Sequence, residues 1–364
     1  MKATVNTEQF KDALKTVISV CKGQAITECL VTFGGEGVVL EGACLGAYVR
    51  QLVQGTVEEP GAFVTNASYL SGLRLAAKET TLEGAKNRIR CVSGRAKYEV
   101  EVVQDTVRIE SQRPLRDIPI AITLPAQLLT SAISRTAFTP SLNSQLDVKV
   151  ETADNQLKLT VNDEFRAAFY KASVPVQAPF KVCLPISFIS AVASRIKGVV
   201  QMGVVEGMFK IADSTLTACH PIRTPRTETD IEAFILQLEQ AVGQFTTAVL
   251  ETEELTAAID SASSIVAGTV GYEVRLEIDL AKEKPSKVFV KSAIGESECQ
   301  FNFESLTGDS HLVLSSKYLS EFLHLINNKD KLRLDIHAGL ILIKTTSSPS
   351  DSLVLVMPQI ESGV

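Results

Sequence analysis

Short stretches in which apolar and polar residues alternate, bounded by Gly, Asn, Asp or Pro, recur along the chain. They lie at Cys29–Phe33, Gly37–Gly42, Arg88–Val92, Tyr98–Val103, Leu146–Glu151, Gln156–Val161, Val274–Leu280, Lys287–Ser292, Leu332–His337 and Leu340–Thr345. A period of two with these boundaries predicts β-strands. Between them, Glu8–Lys22, Asn66–Lys78, Ala126–Phe138, Ile186–Lys197, Thr252–Val266 and Ser316–Ile326 place apolar residues at i, i+3, i+4 and i+7, the helical period. The helices are of two alternating kinds. One carries an apolar residue, Ala three on and an aliphatic four on: Phe10, Ala13, Leu14; Leu129, Ala132, Ile133; Leu255, Ala258, Ile259. The other is tighter: Tyr69-Leu70-Ser71-Gly72-Leu73, Phe188-Ile189-Ser190-Ala191-Val192, Tyr318-Leu319-Ser320-Glu321-Phe322.

Both kinds step by the same 119 residues, from Phe10 to Leu129 and from Tyr69 to Phe188. A shared period in two independent markers predicts an internal repeat. The expected fold is therefore α+β: three repeated domains, each with two helices packed on antiparallel sheets. Boundaries fall where Pro and charge interrupt the apolar pattern, at Gln112–Asp117 and across Pro221–Glu232, giving domains 1–118, 119–243 and 244–364. Asp230–Gly243 is itself helix-like.

A chain of 364 residues that is 45% hydrophobic and 21% charged, with net charge −6, is neither a disordered chain nor a basic coat for nucleic acid. No apolar run reaches the roughly 20 residues of a membrane span, and Met1-Lys2-Ala3-Thr4 lacks the layout of a secretion signal, so no membrane partner and a cytoplasmic location are expected. The cysteines Cys21, Cys29, Cys44, Cys91, Cys183, Cys219 and Cys299 are odd in number and contain no C-x-x-C pair, which argues against a disulfide framework or a zinc site. P-loop, G-x-S-x-G, H-E-x-x-H and helix-opening G-x-G-x-x-G strings are absent. Only four histidines occur, His220, His311, His324 and His337, and the acidic pairs Glu58-Glu59 and Glu253-Glu254 do not converge as helix neighbours would. The expectation is a scaffold or binding protein, not an enzyme, with no cofactor and no metal.

The repeat markers resemble the bacterial-type DNA sliding clamp, the beta subunit of DNA polymerase III. Three strings carry the resemblance: Met1-Lys2-Ala3-Thr4-Val5 before the first helix, Thr123-Leu124-Pro125 through Thr136-Ala137-Phe138-Thr139 opening the second domain, and Leu355-Val356-Met357-Pro358 near the end. It implies a head-to-tail homodimer ring of six domains around duplex DNA, which is held without sequence specificity, as sequence-blind phosphate contacts allow. The six helical stretches carry three surplus positive charges, leaving nine negative on the rest. Lys11, Lys15, Lys22, Arg74, Lys78, Arg135, Arg195, Lys197 and Lys317 are the expected DNA contacts, and Thr252–Val266, with Glu253, Glu254 and Asp260, is acidic.

The resemblance further implies a joint between copies, with Tyr98 and Val100 on one side and Ile265 and Val266 on the other. It also implies an apolar pocket for short peptides of the replicative polymerase, the clamp loader and other clamp-binding proteins. The matching positions are Phe165, Arg166, Ala167, Ser315, Tyr318, Leu340, Leu355, Val356, Met357 and Pro358. The chain departs from the family pattern at Glu164-Phe165-Arg166-Ala167, where a Gly-His-Arg-Leu-like turn is usual, at the linker Pro225–Gln240, and in Gln359–Val364, which runs past the usual end. Such departures fit a divergent clamp, for instance one encoded by a phage and acting in its host's cytoplasm at the nucleoid. Two other readings stand beside this one: a clamp-fold peptide-binding protein that competes with a host ring without encircling DNA, and an enzyme with a dispersed site.

Overall fold

The computed structural model describes residues 1–21, 27–85, 87–102, 107–111, 117–137, 146–163, 166–224, 230–240, 246–264, 275–282, 285–292, 295–326, 330–337, 339–345 and 351–358. One order of elements runs through the chain three times. The first pass is β1 (Lys2–Asn6), α1 (Thr7–Val20), β2 (Glu28–Gly34), β3 (Gly37–Cys44), β4 (Ala47–Val53), β5 (Gly55–Glu59), β6 (Gly61–Asn66), α2 (Ala67–Ser71), β7 (Glu79–Ala85), β8 (Arg88–Ser93) and β9 (Ala96–Glu101). After a short α3 (Val107–Glu110) come β10 (Ile122–Pro125), α4 (Ala126–Thr136), β11 (Asp147–Ala153), β12 (Gln156–Asn162), β13 (Ala167–Ser173), β14 (Phe180–Pro185), α5 (Ile186–Ala193), β15 (Val199–Val205), β16 (Met208–Ala212) and β17 (Leu216–Pro221). A single bridge between Ile122 and Val176 stands where the first pass has β5. After α6 (Ile231–Gln240) come β18 (Thr246–Glu251), α7 (Thr252–Ser263), β19 (Arg275–Leu280), β20 (Ser286–Ser292), β21 (Gly295–Phe301), β22 (Ser305–Leu306), β23 (Ser310–Ser315), α8 (Ser316–Leu325), β24 (Lys331–His337), β25 (Leu340–Thr345) and β26 (Asp351–Pro358).

The chain packs as two compact units, neither of which is one pass. One comprises Met1–Thr130, Thr152–Asp154 and Pro175–Thr224, the other Ser131–Glu151, Asn155–Val174 and Pro225–Val364. The sheets explain this. In the first unit a sheet runs β5-β1-β7-β8-β9 and another runs β10-β15-β16-β17-β4-β3-β2-β6. The second sheet passes from one repeat to the next where β17 pairs antiparallel with β4, Leu216–Cys219 against Gln51–Tyr48. A nine-stranded sheet in the order β14-β11-β12-β13-β26-β25-β24-β18-β22 does the same where β13 meets β26, Ala167–Ala172 against Val356–Asp351, and β21-β20-β19-β23 forms a separate sheet. The middle repeat gives strands to both units, so compactness divides it.

The helices form where expected, but two are shorter. Asn6 caps α1 by accepting hydrogen bonds from the amides of Glu8 and Gln9, satisfying donors that a helix start leaves open. The α1 stripe Phe10, Ala13, Leu14 and Val17 is buried. Gly42 makes room for it: a Cβ there would lie 2.6 Å from Val17 Cγ1. The helix expected over Asn66–Lys78 stops at Ser71. Beyond it Leu75 turns into the core, and the Ala77 amide donates to Ser93 Oγ on β8, so tertiary bonds replace helical ones. The stretch Ile186–Lys197 likewise ends at Ala193. There the Arg195 guanidinium donates to the Ala191 carbonyl, the Lys197 amide donates to Asp213, and Gly198 takes a left-handed φ of +64.

Candidate functional site

Three surfaces follow from this architecture: the helix ends, two unpaired strand edges, and one apolar sheet face. Within their observed bounds the six main helices are mildly acidic. Arg135 on α4 is outweighed by Glu253, Glu254 and Asp260 on α7, while charges on α1 and α8 balance. The expected basic surplus on the helices is thus corrected, because Arg74, Lys78, Arg195 and Lys197 lie in the turns after α2 and α5. Arg74, Lys78 and Lys197 are exposed there. Lys15 is exposed and pairs with Asp12 at 3.5 Å. Lys11 reaches back to the Leu75 carbonyl, tying α1 to the turn after α2. Arg135 pairs with Asp330 at 3.9 Å. Lys317 lies in the first turn of α8, with its side chain outside the described set, and Lys22 lies outside the described residues.

Strands β9 and β21 each end a sheet with no neighbour on their outer side among the described residues. Tyr98 is half-buried in β9, its hydroxyl donating to the Arg74 carbonyl at 3.1 Å. Val100 is already buried within the chain, 6% exposed. Ile265 and Val266 lie outside the described residues. The repeat supplies what single positions could not. Strand β17 occupies the last place of its repeat, as β9 and β26 do, and β4 follows the same hairpin as β21. Residues Leu45 and Gly46 close β4 on β3, as two residues close β21 on β20. Since β17 joins β4 inside the chain, β9 and β21 are the remaining pair of that kind. Beside β21 runs a cleft of about 670 Å³ lined by Glu251, Glu253, Glu254, Ala257, Ala258, Ser261, Cys299 and Gln300, whereas β8 and β9 carry charges of both signs, Arg88, Arg90 and Lys97 with Glu99 and Glu101, Arg88 pairing with Glu99 at 3.0 Å and Arg90 with Glu83 at 3.8 Å.

The apolar face lies on β13, β25 and β26. Side chains alternate across a sheet, so Ala167, Phe169, Leu342, Val354 and Val356 gather on one side, with Leu340 against them. Leu355, fully buried, faces the other way. The ten pocket positions therefore split. Ala167, Leu340 and Val356 share the apolar face. Arg166, Ser315 and Tyr318 form a second group around α8: the Arg166 guanidinium stacks 4.3 Å over the Tyr318 ring and pairs with Glu321 at 2.9 Å and Asp163 at 3.5 Å. Met357 and Pro358 pair with Ile341 and Leu340 through the backbone, and Phe165 lies outside the described residues. The face is covered by α6, which the sequence placed in a linker: Ile231 and Ile235 are buried on it, with Phe234 and Leu238 packed alongside.

Six of the seven cysteines are buried and Cys299 is half-exposed. Burial pushes the thiols of Cys29, Cys91 and Cys219 up to about 12, so they are inert at neutral pH. Among the described residues no group of three or more His, Cys, Asp or Glu side chains could hold a metal ion, and no helix is long and apolar enough to cross a membrane. Burial raises the carboxyl of Asp335, but Arg333 and Lys344 outweigh it and hold it below its ordinary value.

No known family pattern and no curated protein sequence matches the chain. Solved structures do. A DNA polymerase sliding clamp from Bacillus subtilis aligns over 100% of both chains at 18% identity with a TM-score of 0.80. A DNA polymerase III beta subunit from Thermotoga maritima aligns over 100% of both at 14% identity with a TM-score of 0.82. A sliding clamp from Pseudomonas aeruginosa bound to griselimycin aligns over 99% of both at 15% identity with a TM-score of 0.79. The chain thus has the α+β fold of the bacterial sliding clamps. At these identities the likeness is one of fold, running the full length of the chain.

Proposed function

We propose that the chain is a non-enzymatic DNA sliding clamp, with domains 1–118, 119–243 and 244–364, two copies of which close head-to-tail around duplex DNA and tether a polymerase and other replication proteins. The observation that carries this reading is the unused strand pair. Each internal passage from repeat to repeat is a continuous antiparallel sheet, and β9 with β21 of a second copy would complete the series. A heterologous contact of this kind gives a ring when the rotation closes. The β4–β17 joint supplies a register. Leu52 donates to the Thr215 carbonyl at 2.8 Å, and Arg50 stands opposite Thr217. Transferred through the matching hairpins, Lys97 of one copy stands opposite Glu298 of the next, an attractive cross-strand pair. Arg74, Lys78, Arg195 and Lys197 then act as field sources for the phosphates, and the face under α6 with the Arg166 group receives partner peptides. DNA held by closure needs no tight contact, so a weak basic lining is sufficient.

The experiment is the solution mass by light scattering at low micromolar concentration. A mass near twice 39.3 kDa followed by retention on circular but not linearised DNA supports the ring. The acidic α7 favours the second reading, a clamp-fold protein that binds clamp-directed peptides without encircling DNA. A stable monomer at that concentration would decide for it.

A further inference from the structure

The helix α6 stands outside the repeated order of elements, and among the described residues no backbone hydrogen bond joins it to a strand; the Phe234 amide donates to the Asp230 carbonyl at 3.0 Å, at the helix's own start. Side chains alone hold it. Ile231 and Ile235 are buried on the face of β13, β25 and β26, while Leu236 on the outer side is 49% exposed. Both ends are pinned by charge. Near the N-terminus Glu232 meets Lys158 at 2.6 Å and Lys171 at 3.4 Å; seven residues on, Glu239 meets Lys344 at 2.7 Å. Seven residues are about two turns, so the two carboxylates lie above one another along the helix. The surface beneath is accordingly an apolar centre with a lysine pole at each end.

A ten-residue helix is marginal on its own in water, so α6 persists by its seat on this surface and leaves when something else fills it. We propose that α6 is a tethered occupant of the partner-binding face, and that partners are short segments of its own chemistry: aliphatic and aromatic residues at helical spacing between two carboxylates about two turns apart. Such a segment would bind by displacing α6, its acids taking the lysine poles. This rests on the reading of that face as the peptide site. The pole lysines come from both sides of the joint, Lys158 and Lys171 from β12 and β13 and Lys344 from β25, so an occupant also bridges the two strand sets that meet at β13 and β26.

A fluorescein-labelled peptide of residues 230–240 is the probe, titrated by anisotropy into the full chain and into a Glu232→Lys/Glu239→Lys variant. The substituted side chains are partly exposed, and the variant opposes lysine to lysine at both ends of α6 without touching the sheet. A tethered competitor acts at an effective concentration of the order of millimolar. The variant is expected to bind the probe at least ~10-fold more tightly than the parent, and a probe with both Glu replaced by Lys is expected to lose ~10-fold or more on the same variant. Equal, saturable binding to parent and variant would overturn the displacement proposal while leaving the peptide site standing. Absence of binding to both would overturn the peptide site itself. Hydrogen exchange gives a readout without substitution: excess unlabelled probe is expected to speed exchange in α6 and not in β13 or β26, and unchanged α6 protection at saturating probe would refute displacement.

Discussion

A proline on the outer edge of β21 tests the ring at its proposed seam. In a two-residue hairpin the closing residues bond to each other and the amides then alternate inward and outward along the strand. Ser292 and Gly295 close β20 on β21, so the amides of Glu296, Glu298 and Gln300 point to the unpaired side. The same rule applied to β3 and β4 points Leu52 outward, and its amide does donate to Thr215 across the internal joint. Glu298→Pro therefore removes one outward donor while sparing the bonds to β20, which an edge strand tolerates. Losing the bond and leaving its acceptor unsatisfied costs roughly 2 kcal/mol per joint. A dimer ring has two joints, so about 4 kcal/mol is lost on dissociation, near 10³-fold in the dimer constant at about 1.4 kcal/mol per decade. Sedimentation over a dilution series measures it, with thermal unfolding expected to stay close to the parent's. A variant that dimerises as tightly as the parent would refute both the seam and the register drawn from β4 and β17.

Arg166→Ala is expected to cost about 3–5 kcal/mol in urea unfolding, since it strips the cation from the buried Asp163 and from Glu321 and empties the space over Tyr318; a loss below about 1 kcal/mol would contradict the stated burial. Brief maleimide treatment of the folded chain at pH 7.5 is expected to label Cys299 first and to leave Cys29, Cys91 and Cys219 unlabelled, as intact-mass and peptide analysis would show. Asp335→Asn is expected to lower stability by roughly 2 kcal/mol at neutral pH, where the carboxylate bonds to Arg333 at 2.8 Å and Lys344 at 3.1 Å. Because the folded-state carboxyl titrates below its unfolded value, that contribution is complete above the ordinary carboxylate range and disappears as pH falls through the folded value. The difference between parent and variant should shrink on acidification, and a difference that grows would reverse the assigned direction.

The strands and helices were legible because each carries its own period: Phe10, Ala13 and Leu14 recur as Leu129, Ala132 and Ile133, and both triplets are buried. Where α2 and α5 end was not, since Leu75 and the Lys197 amide are held by residues distant in sequence. Charge assigned by sequence window consequently fell on helices that do not carry it. The edge at β21 was missed because an edge is defined by pairing, which no local pattern reports; extending the helix repeat to the strands would have pointed to it. The apolar stripe of α6 was visible in Ile231, Phe234, Ile235 and Leu238, but the sheet it covers is assembled from strands far apart in sequence, β13 and β26 among them.

The middle repeat donates one half of itself to each compact unit. The unit that repeats in the sequence is therefore not the unit that packs compactly. A gene fragment cut at a repeat boundary would release β4 or β13 from its partner and present a raw backbone edge to other chains, an invitation to aggregate. Pairing of β17 with β4 and of β13 with β26 thus ties each repeat to its neighbour through main-chain bonds that a lone repeat would leave open.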